Sequence, residues 1–276
     1  MHQGRKDVIG IPWLFVGLTY GITWVLWILV ILSGQDAKGS WLFVPYVLGG
    51  FSPSVVGVFL LYRTRPAGER PLFWKSLIGF NRISWRWYLF IFLVIPATFA
   101  LSVLLESLLA GHAADFSVFR LIRDSPVQIV QILVIALLFG SLSEELGWRG
   151  FALDRLQSKW NAFVSSIILG LIWFCWHLPL FFINGTTQKL WGFGSIGFFG
   201  FFLFLMASTL IITWAYSRNG KSLLTAVLIH CVSNLVLNLV PLSGRGFFIQ
   251  GAVFAMVAVL FVLFSGTKGP AARQET

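Results

Sequence analysis

The chain has few charged residues. Asp, Glu, Lys and Arg make up only 11% of its 276 residues, while 57% are hydrophobic. Soluble globular domains have about 25% charged residues. The low charge and high hydrophobicity therefore exclude an ordinary soluble fold and predict a polytopic membrane protein. Because the apolar runs have the length of helical spans, we expect an all-α bundle.

Cysteine is also scarce. Cys175 and Cys231 both lie inside apolar runs and have no paired spacing, which argues against a disulfide framework or a cysteine-based zinc motif. The sequence has no His-Glu-x-x-His zinc helix and no Gly-x-Ser-x-Gly nucleophile elbow. Paired intramembrane aspartates are missing as well. Any catalytic chemistry must therefore rest on glutamate, histidine and asparagine.

Acidic residues are outnumbered by basic ones, with 10 Asp and Glu against 20 Lys and Arg. The basic residues are scattered among the loops, which favours a membrane surface over nucleic acid as partner. With a cytoplasmic N-terminus, 15 of the 20 fall on the inner side and five on the outer side, namely Lys38, Arg120, Arg123, Lys189 and Arg245. The positive-inside rule then predicts that both termini are cytoplasmic.

Eight apolar runs approach the roughly 20 residues that a helix needs to cross a bilayer. They are Ile11–Ser33, Trp41–Tyr62, Trp87–Leu109, Val127–Trp148, Trp160–Phe182, Ile196–Tyr216, Ser222–Pro241 and Phe247–Ser265. No separate soluble domain is visible between them. The sequence therefore predicts a single transmembrane domain, residues 1–276, built from about eight helices.

One apolar run contains three ionisable residues, in the stretch Ser141-Leu-Ser-Glu-Glu-Leu-Gly-Trp-Arg-Gly150. Placing a charge in hydrocarbon costs several kcal/mol, so each of these side chains needs a partner, water or a function. Glu145 and Arg149 are four residues apart and share a helix face, so we expect them to pair. Glu144 is rotated from them by about 100°. We therefore interpret Glu145 as structural and Glu144 as free to react.

Two of the four histidines, His177 and His230, also lie in apolar runs, and Asn234 follows His230 by one helical turn. If the fourth helix ended at Trp148, Glu144 and His177 would be about 25 Å apart. Residues 151–159 contain no Pro or Gly. We therefore predict that the fourth helix continues and forms a hairpin with the fifth, turning near Trp160, which brings Glu144 beside His177.

These residues form three motifs, Glu144-Glu145-x-x-x-Arg149, Trp173-x-x-x-His177 and His230-x-x-x-Asn234. Their order and their location in predicted helices four, five and seven resemble the CAAX protease and bacteriocin-processing (CPBP) family of intramembrane endopeptidases, which includes the Ras-converting CAAX endopeptidases. The resemblance covers roughly residues 126–241, the predicted catalytic core. The family usually has Phe where this chain has Trp173. An aromatic residue there can still pack beside the imidazole, although Trp could reshape the substrate groove.

The resemblance implies peptide hydrolysis inside the membrane. Glu144 would act as general base on a water, and His177 would share that water and pass a proton to the leaving amine. His230 and Asn234 would donate hydrogen bonds to the oxyanion. Glu145, Arg149 and Trp173 would support these groups. Substrates would be peptides or membrane proteins, with or without a lipid.

Three alternatives stay open at this point. The first concerns a metal, because two histidines and a glutamate can hold zinc with an open position, here Glu144, His177 and His230. The family has been described both as metallopeptidases and as glutamate-type peptidases. The second is a non-proteolytic scaffold or bacteriocin-immunity protein of the same fold. A proton-coupled transporter is the third, but it predicts inverted repeats, and none is found.

Overall fold

A computed structural model describes residues 11–110 and 115–265. The regular elements in these ranges are helical. In chain order they are α1 (Ile11–Ser33), α2 (Phe43–Thr64), α3 (Arg70–Ile78), α4 (Trp85–Leu109), α5 (Ser117–Asp124), α6 (Val127–Gln157), α7 (Ala162–Trp176), α8 (Thr187–Trp191), α9 (Ile196–Arg218), α10 (Leu223–Leu239) and α11 (Gly244–Ser265). Short 3-10 turns connect some of them, for example Leu178–Phe181 after α7.

Six of these helices, α1, α2, α4, α6, α9 and α11, are long and apolar enough to cross a membrane. The other two predicted runs form shorter helices, α7 with 15 residues and α10 with 17. At 1.5 Å per residue they rise only about 23 and 26 Å, less than the roughly 30 Å of hydrocarbon. The expectation of about eight full-length spans is therefore not confirmed. The prediction of an integral membrane protein with an all-helical bundle is confirmed.

The structure corrects the C-terminal bound of the fifth predicted span, which contains His177. We expected helix over Trp160–Phe182, with His177 well inside it. Helix α7 instead ends at Trp176, and His177 is its C-terminal cap. Pro179 follows two residues later, as the second residue of the 3-10 turn Leu178–Phe181. Proline lacks an N–H and disfavours helix in the residue before it, so the helix cannot continue.

The predicted hairpin is confirmed. Helix α6 runs for 31 residues to Gln157, and α7 starts directly after Asn161, whose side chain caps it by accepting a hydrogen bond from the Val164 N–H at 2.9 Å. Beside this turn Asp154 accepts from Arg65 and from Lys221, both at 3.0 Å. The ends of α2 and α6 and the turn between α9 and α10 therefore meet at one end of the bundle.

Helix α6 is not uniform. Two π-helical stretches, Ile135–Leu142 and Trp148–Leu153, flank a regular segment at Ser143–Gly147 that carries both glutamates. A π-helical turn breaks the usual hydrogen-bond ladder and often occurs at functional sites. Here the Leu142 carbonyl accepts a hydrogen bond from the Ser54 hydroxyl of α2 at 2.7 Å. Contacts from α2 therefore help to hold the irregular helix in place.

Helices α2 and α6 approach each other backbone to backbone. A Cβ atom on Gly57 would lie 2.6 Å from the Cα of Gly147, and a Cβ on Gly147 would overlap the carbonyl group of Pro53. Real Cβ atoms do not come that close to a backbone atom. Only glycine at position 147 permits the contact, which fixes the depth of the adjacent glutamates relative to α2.

This packing makes Gly147→Ala a specific test of the α2–α6 contact. We expect the variant to lose about 1–3 kcal/mol of stability, because the new methyl group must push α2 away. Circular dichroism of the purified protein in detergent, followed with rising temperature, measures the loss. Gly50→Ala is the matched control, because a Cβ on Gly50 in α2 meets no atom within 4 Å. Equal melting temperatures for the two variants would contradict the assignment.

Candidate active site

A cavity of about 360 Å³ lies among α6, α7, α9, α10 and α11. Its walls contain Glu144, Trp173, His177, His230 and Asn234. These residues come from three helices and three separate sequence motifs. The structure therefore brings together all four side chains that the sequence suggested for catalysis, together with the aromatic residue of the second motif.

Glu144 is only 7% exposed. Its Oε2 atom accepts a hydrogen bond of 2.6 Å from the indole N–H of Trp173. In the described ranges no residue donates to the other carboxylate oxygen, Oε1, and the side chain lines the cavity. One oxygen of this carboxylate is therefore held by the protein, and the other is available to a molecule in the cavity.

Glu145 and Arg149 form the predicted ion pair, with 2.7 Å between Arg149 Nη1 and Glu145 Oε1 and both side chains fully buried. The same Oε1 accepts from His230 Nδ1 at 2.8 Å, and Arg149 Nη2 donates to the Thr209 hydroxyl at 3.4 Å. Neither Glu145 nor Arg149 lines the cavity. The pair thus lies behind the site and orients the His230 ring. Thr209 and the link to His230 have no signal in the sequence, because no local pattern joins α6 to α9 or α10.

His177 is oriented by its own helix. Its Nδ1 lies 2.7 Å from the backbone carbonyl oxygen of Trp173. A carbonyl can only accept, so Nδ1 carries the proton, and Nε2 of the neutral ring has a free lone pair. Trp176 and Phe201 pack against the ring, with centroids 4.6 and 5.2 Å away. In His230 the Nδ1–H likewise faces an acceptor, so each histidine has Nε2 available for a reactant.

Asn234 occupies space that a glycine leaves open. A Cβ atom on Gly140 of α6 would collide with the amide nitrogen of Asn234. One turn further along α10, Asn238 lines the same cavity and donates to the Asn234 backbone carbonyl at 2.7 Å. Gly140 was detectable in the sequence as a glycine four residues before Glu144, but its role becomes visible only when α10 is packed against it.

Other parts of the cavity wall had no sequence signal. Gln188 and Trp191 come from the short helix α8, and Phe247 comes from α11. The Trp191 ring stacks on Phe247 with 4.2 Å between centroids, and its N–H donates to the Leu242 carbonyl at 3.3 Å. These residues close the wall from segments far apart in sequence, where neither spacing nor residue type indicates a shared cavity.

A zinc ion was one expectation for Glu144, His177 and His230. Over residues 11–110 and 115–265, no three or more His, Cys, Asp and Glu side chains are close enough to form a set of metal ligands. As placed in the described part of the chain, these side chains do not fit a zinc centre.

Comparison with known proteins identifies the family. A family model described as type II CAAX prenyl endopeptidase Rce1-like matches residues 126–236. That region contains all three motifs and almost the whole predicted core. A curated protein from Methanococcus maripaludis, named CAAX prenyl protease 2, is 30% identical over 255 residues, covering 92% of this chain and 93% of the relative. The chain therefore belongs to the CAAX prenyl endopeptidase family of membrane proteases.

Proposed function

We propose that this protein is an intramembrane endopeptidase in which Glu144 activates the water that hydrolyses a peptide bond. The observation that carries the proposal is that Glu144, His177, His230 and Asn234 all line the same cavity. Glu144 Oε1 takes a proton from water as the water oxygen attacks the peptide carbonyl carbon. The C–N bond then breaks, and the proton ends on the leaving amine.

His177 completes the proton transfer in this scheme. Its Nδ1–H is engaged with the Trp173 carbonyl, so Nε2 can accept a hydrogen bond from the same water. When the C–N bond breaks, Nε2 can take from Glu144 the proton that came from the water and pass it to the leaving amine. Tight packing of Trp176 and Phe201 around the imidazole limits other orientations.

His230 and Asn234 would stabilise the oxyanion, the negative oxygen of the tetrahedral intermediate. Asn234 lines the cavity, and its amide N–H₂ group would be the donor. His230 can donate from Nε2, while its Nδ1–H stays bound to Glu145, only as an imidazolium. Together with Glu144 and Arg149, the site then carries two negative and two positive charges.

The names of the family and the relative suggest the substrate class. We propose that the substrate is a protein ending in a prenylated CAAX sequence, from which the last three residues after the lipidated cysteine are removed. The cavity offers apolar walls next to the polar groups, among them Phe139, Phe204 and Leu237. Such a surface suits a reactant that combines a lipid with a peptide.

The orientation in the membrane stays a prediction. We propose that the end of the bundle with Asp154, Arg65 and Lys221 faces the cytoplasm, because the connections there belong to the basic side of the sequence. Four of the basic residues used in the count, Arg5, Lys6, Lys268 and Arg273, lie outside the described residues.

The general base is tested by Glu144→Gln, which keeps the size of the side chain and removes its basicity. We expect kcat to fall by about 10² to 10⁴-fold without loss of stability. The assay follows release of the C-terminal tripeptide from a synthetic peptide ending in S-farnesyl-Cys-Val-Ile-Met. An inactive wild type that binds this peptide as tightly as the variant would favour the scaffold reading instead.

Glu145→Gln should behave in the opposite way, with stability as its main loss. The change leaves the Arg149 charge buried without a counter-charge, which costs about 3–5 kcal/mol. Unfolding in mixed micelles titrated with a denaturing detergent gives the difference in free energy. Glu144→Gln serves as the matched control in the next position of the same helix. If both variants were equally stable, the structural role of Glu145 would be wrong.

Oxyanion stabilisation is tested by Asn234→Ala with the farnesylated peptide. We expect kcat to drop by about 10² to 10³-fold, because one donor to the oxyanion is lost. The Michaelis constant should change little, since that bond forms mainly in the transition state. Asn238→Ala, one turn away in the same wall, is the control and should lose far less. Equal losses in the two variants would argue against a specific role for Asn234.

A further inference from the structure

Trp173 links the two groups that handle the water in the proposed mechanism. Its indole N–H donates to Glu144 Oε2 at 2.6 Å, and its backbone carbonyl accepts from His177 Nδ1 at 2.7 Å. The residue is only 2% exposed, so competing water is largely excluded from both bonds. Substitution of the side chain would remove the first bond and keep the second.

We propose that the Trp173 indole N–H is a positioning group, which fixes the Glu144 carboxylate so that Oε1 faces the attacking water. This inference rests on the proposed role of Glu144. The last torsion of a glutamate is soft and roughly two-fold, so an unrestrained carboxylate would present either oxygen over a broad range of angles. A short hydrogen bond from N–H to a carboxylate is charge-assisted and directional. With Oε2 held, only Oε1 is left for the water.

The indole ring is itself held on several sides. The Arg149 guanidinium carbon lies 4.5 Å from the ring centroid, and the His230 and His177 rings are 5.3 and 5.7 Å away. These contacts stop the ring from turning, so the N–H direction is fixed. A phenylalanine, the residue usual at this position in the family, would keep an aromatic ring against Arg149 and the histidines but has no donor. The N–H is thus the feature that tests the inference.

The kinetic test compares Trp173→Phe with Trp27→Phe, using the farnesylated peptide. Trp27 is also 2% exposed and donates its N–H to the Tyr46 carbonyl at 2.8 Å, but it does not line the cavity. Both variants lose one indole hydrogen bond and similar packing volume, so a general loss of stability affects both. We expect kcat of Trp173→Phe to fall roughly tenfold or more with little change in KM, since orientation in the transition state is lost. Trp27→Phe should keep the wild-type kcat.

The Glu144→Gln variant separates the two proposals in the same assay. If it is inactive while Trp173→Phe has the kcat of wild type and of Trp27→Phe, the positioning role is overturned and the proposed function stands. If Glu144→Gln is as active as wild type, the proposed function fails and the inference fails with it.

A spectroscopic readout does not depend on activity, and its main comparison, wild type against Glu144→Gln, does not need the Trp173 variant to fold. In protein labelled with ¹⁵N-tryptophan, the 13 tryptophans give indole N–H signals. We expect one signal far downfield, because its proton is shared with a carboxylate, and we expect it to move upfield in Glu144→Gln. In folded Trp173→Phe the same signal should be missing. A set of indole signals that does not respond to Glu144→Gln would overturn the inference.

Discussion

The buried ion pair between Glu145 and Arg149 is the interaction on which the rest of the site depends. Two full charges inside an apolar bundle cost several kcal/mol each unless their remaining hydrogen-bonding groups find partners. Thr209 in α9 and His230 in α10 supply some of these partners, and the Trp173 ring of α7 covers the guanidinium, while Glu145 Oε2 and Arg149 Nε have no partner among the described residues. The contacts of this one ion pair therefore connect four helices, α6, α7, α9 and α10. The side chains that line the cavity are positioned around this buried ion pair.

Much of this arrangement follows from local rules that a sequence displays. The Glu145–Arg149 contact is a spacing of four on a helix, and the α6–α7 hairpin follows from the absence of helix breakers before Trp160. Both involve residues close together in the chain, where helical geometry alone fixes their relative positions. The co-location of the three motifs came from the family resemblance, which carries information on packing that hydropathy does not.

The parts that could not be predicted are contacts between helices and departures from regular helix. Hydrogen bonds from Trp173 to Glu144 and from His230 to Glu145 join residues 29 and 85 positions apart. Their formation depends on side-chain directions in α6, which its π-helical stretches alter. Counting apolar residues also overestimated the spans, because hydropathy does not register where a helix stops. Pro179 indicates where the helix stops, and its position predicts an end of α7 near His177.

The early end of α7 has a direct chemical consequence. In a helix that continued, the Trp173 carbonyl would accept the backbone N–H of the residue four positions on, which is His177. Here the His177 backbone N–H bonds to Phe174 instead, at 3.0 Å. The last carbonyls of a helix need other partners, and Trp173 finds one in the His177 ring. A backbone carbonyl without its usual helical partner is tolerated at membrane depth only where it is buried in protein or lines a cavity. The early end of α7 is therefore what orients His177. A full-length span would leave the imidazole without this acceptor and free to rotate.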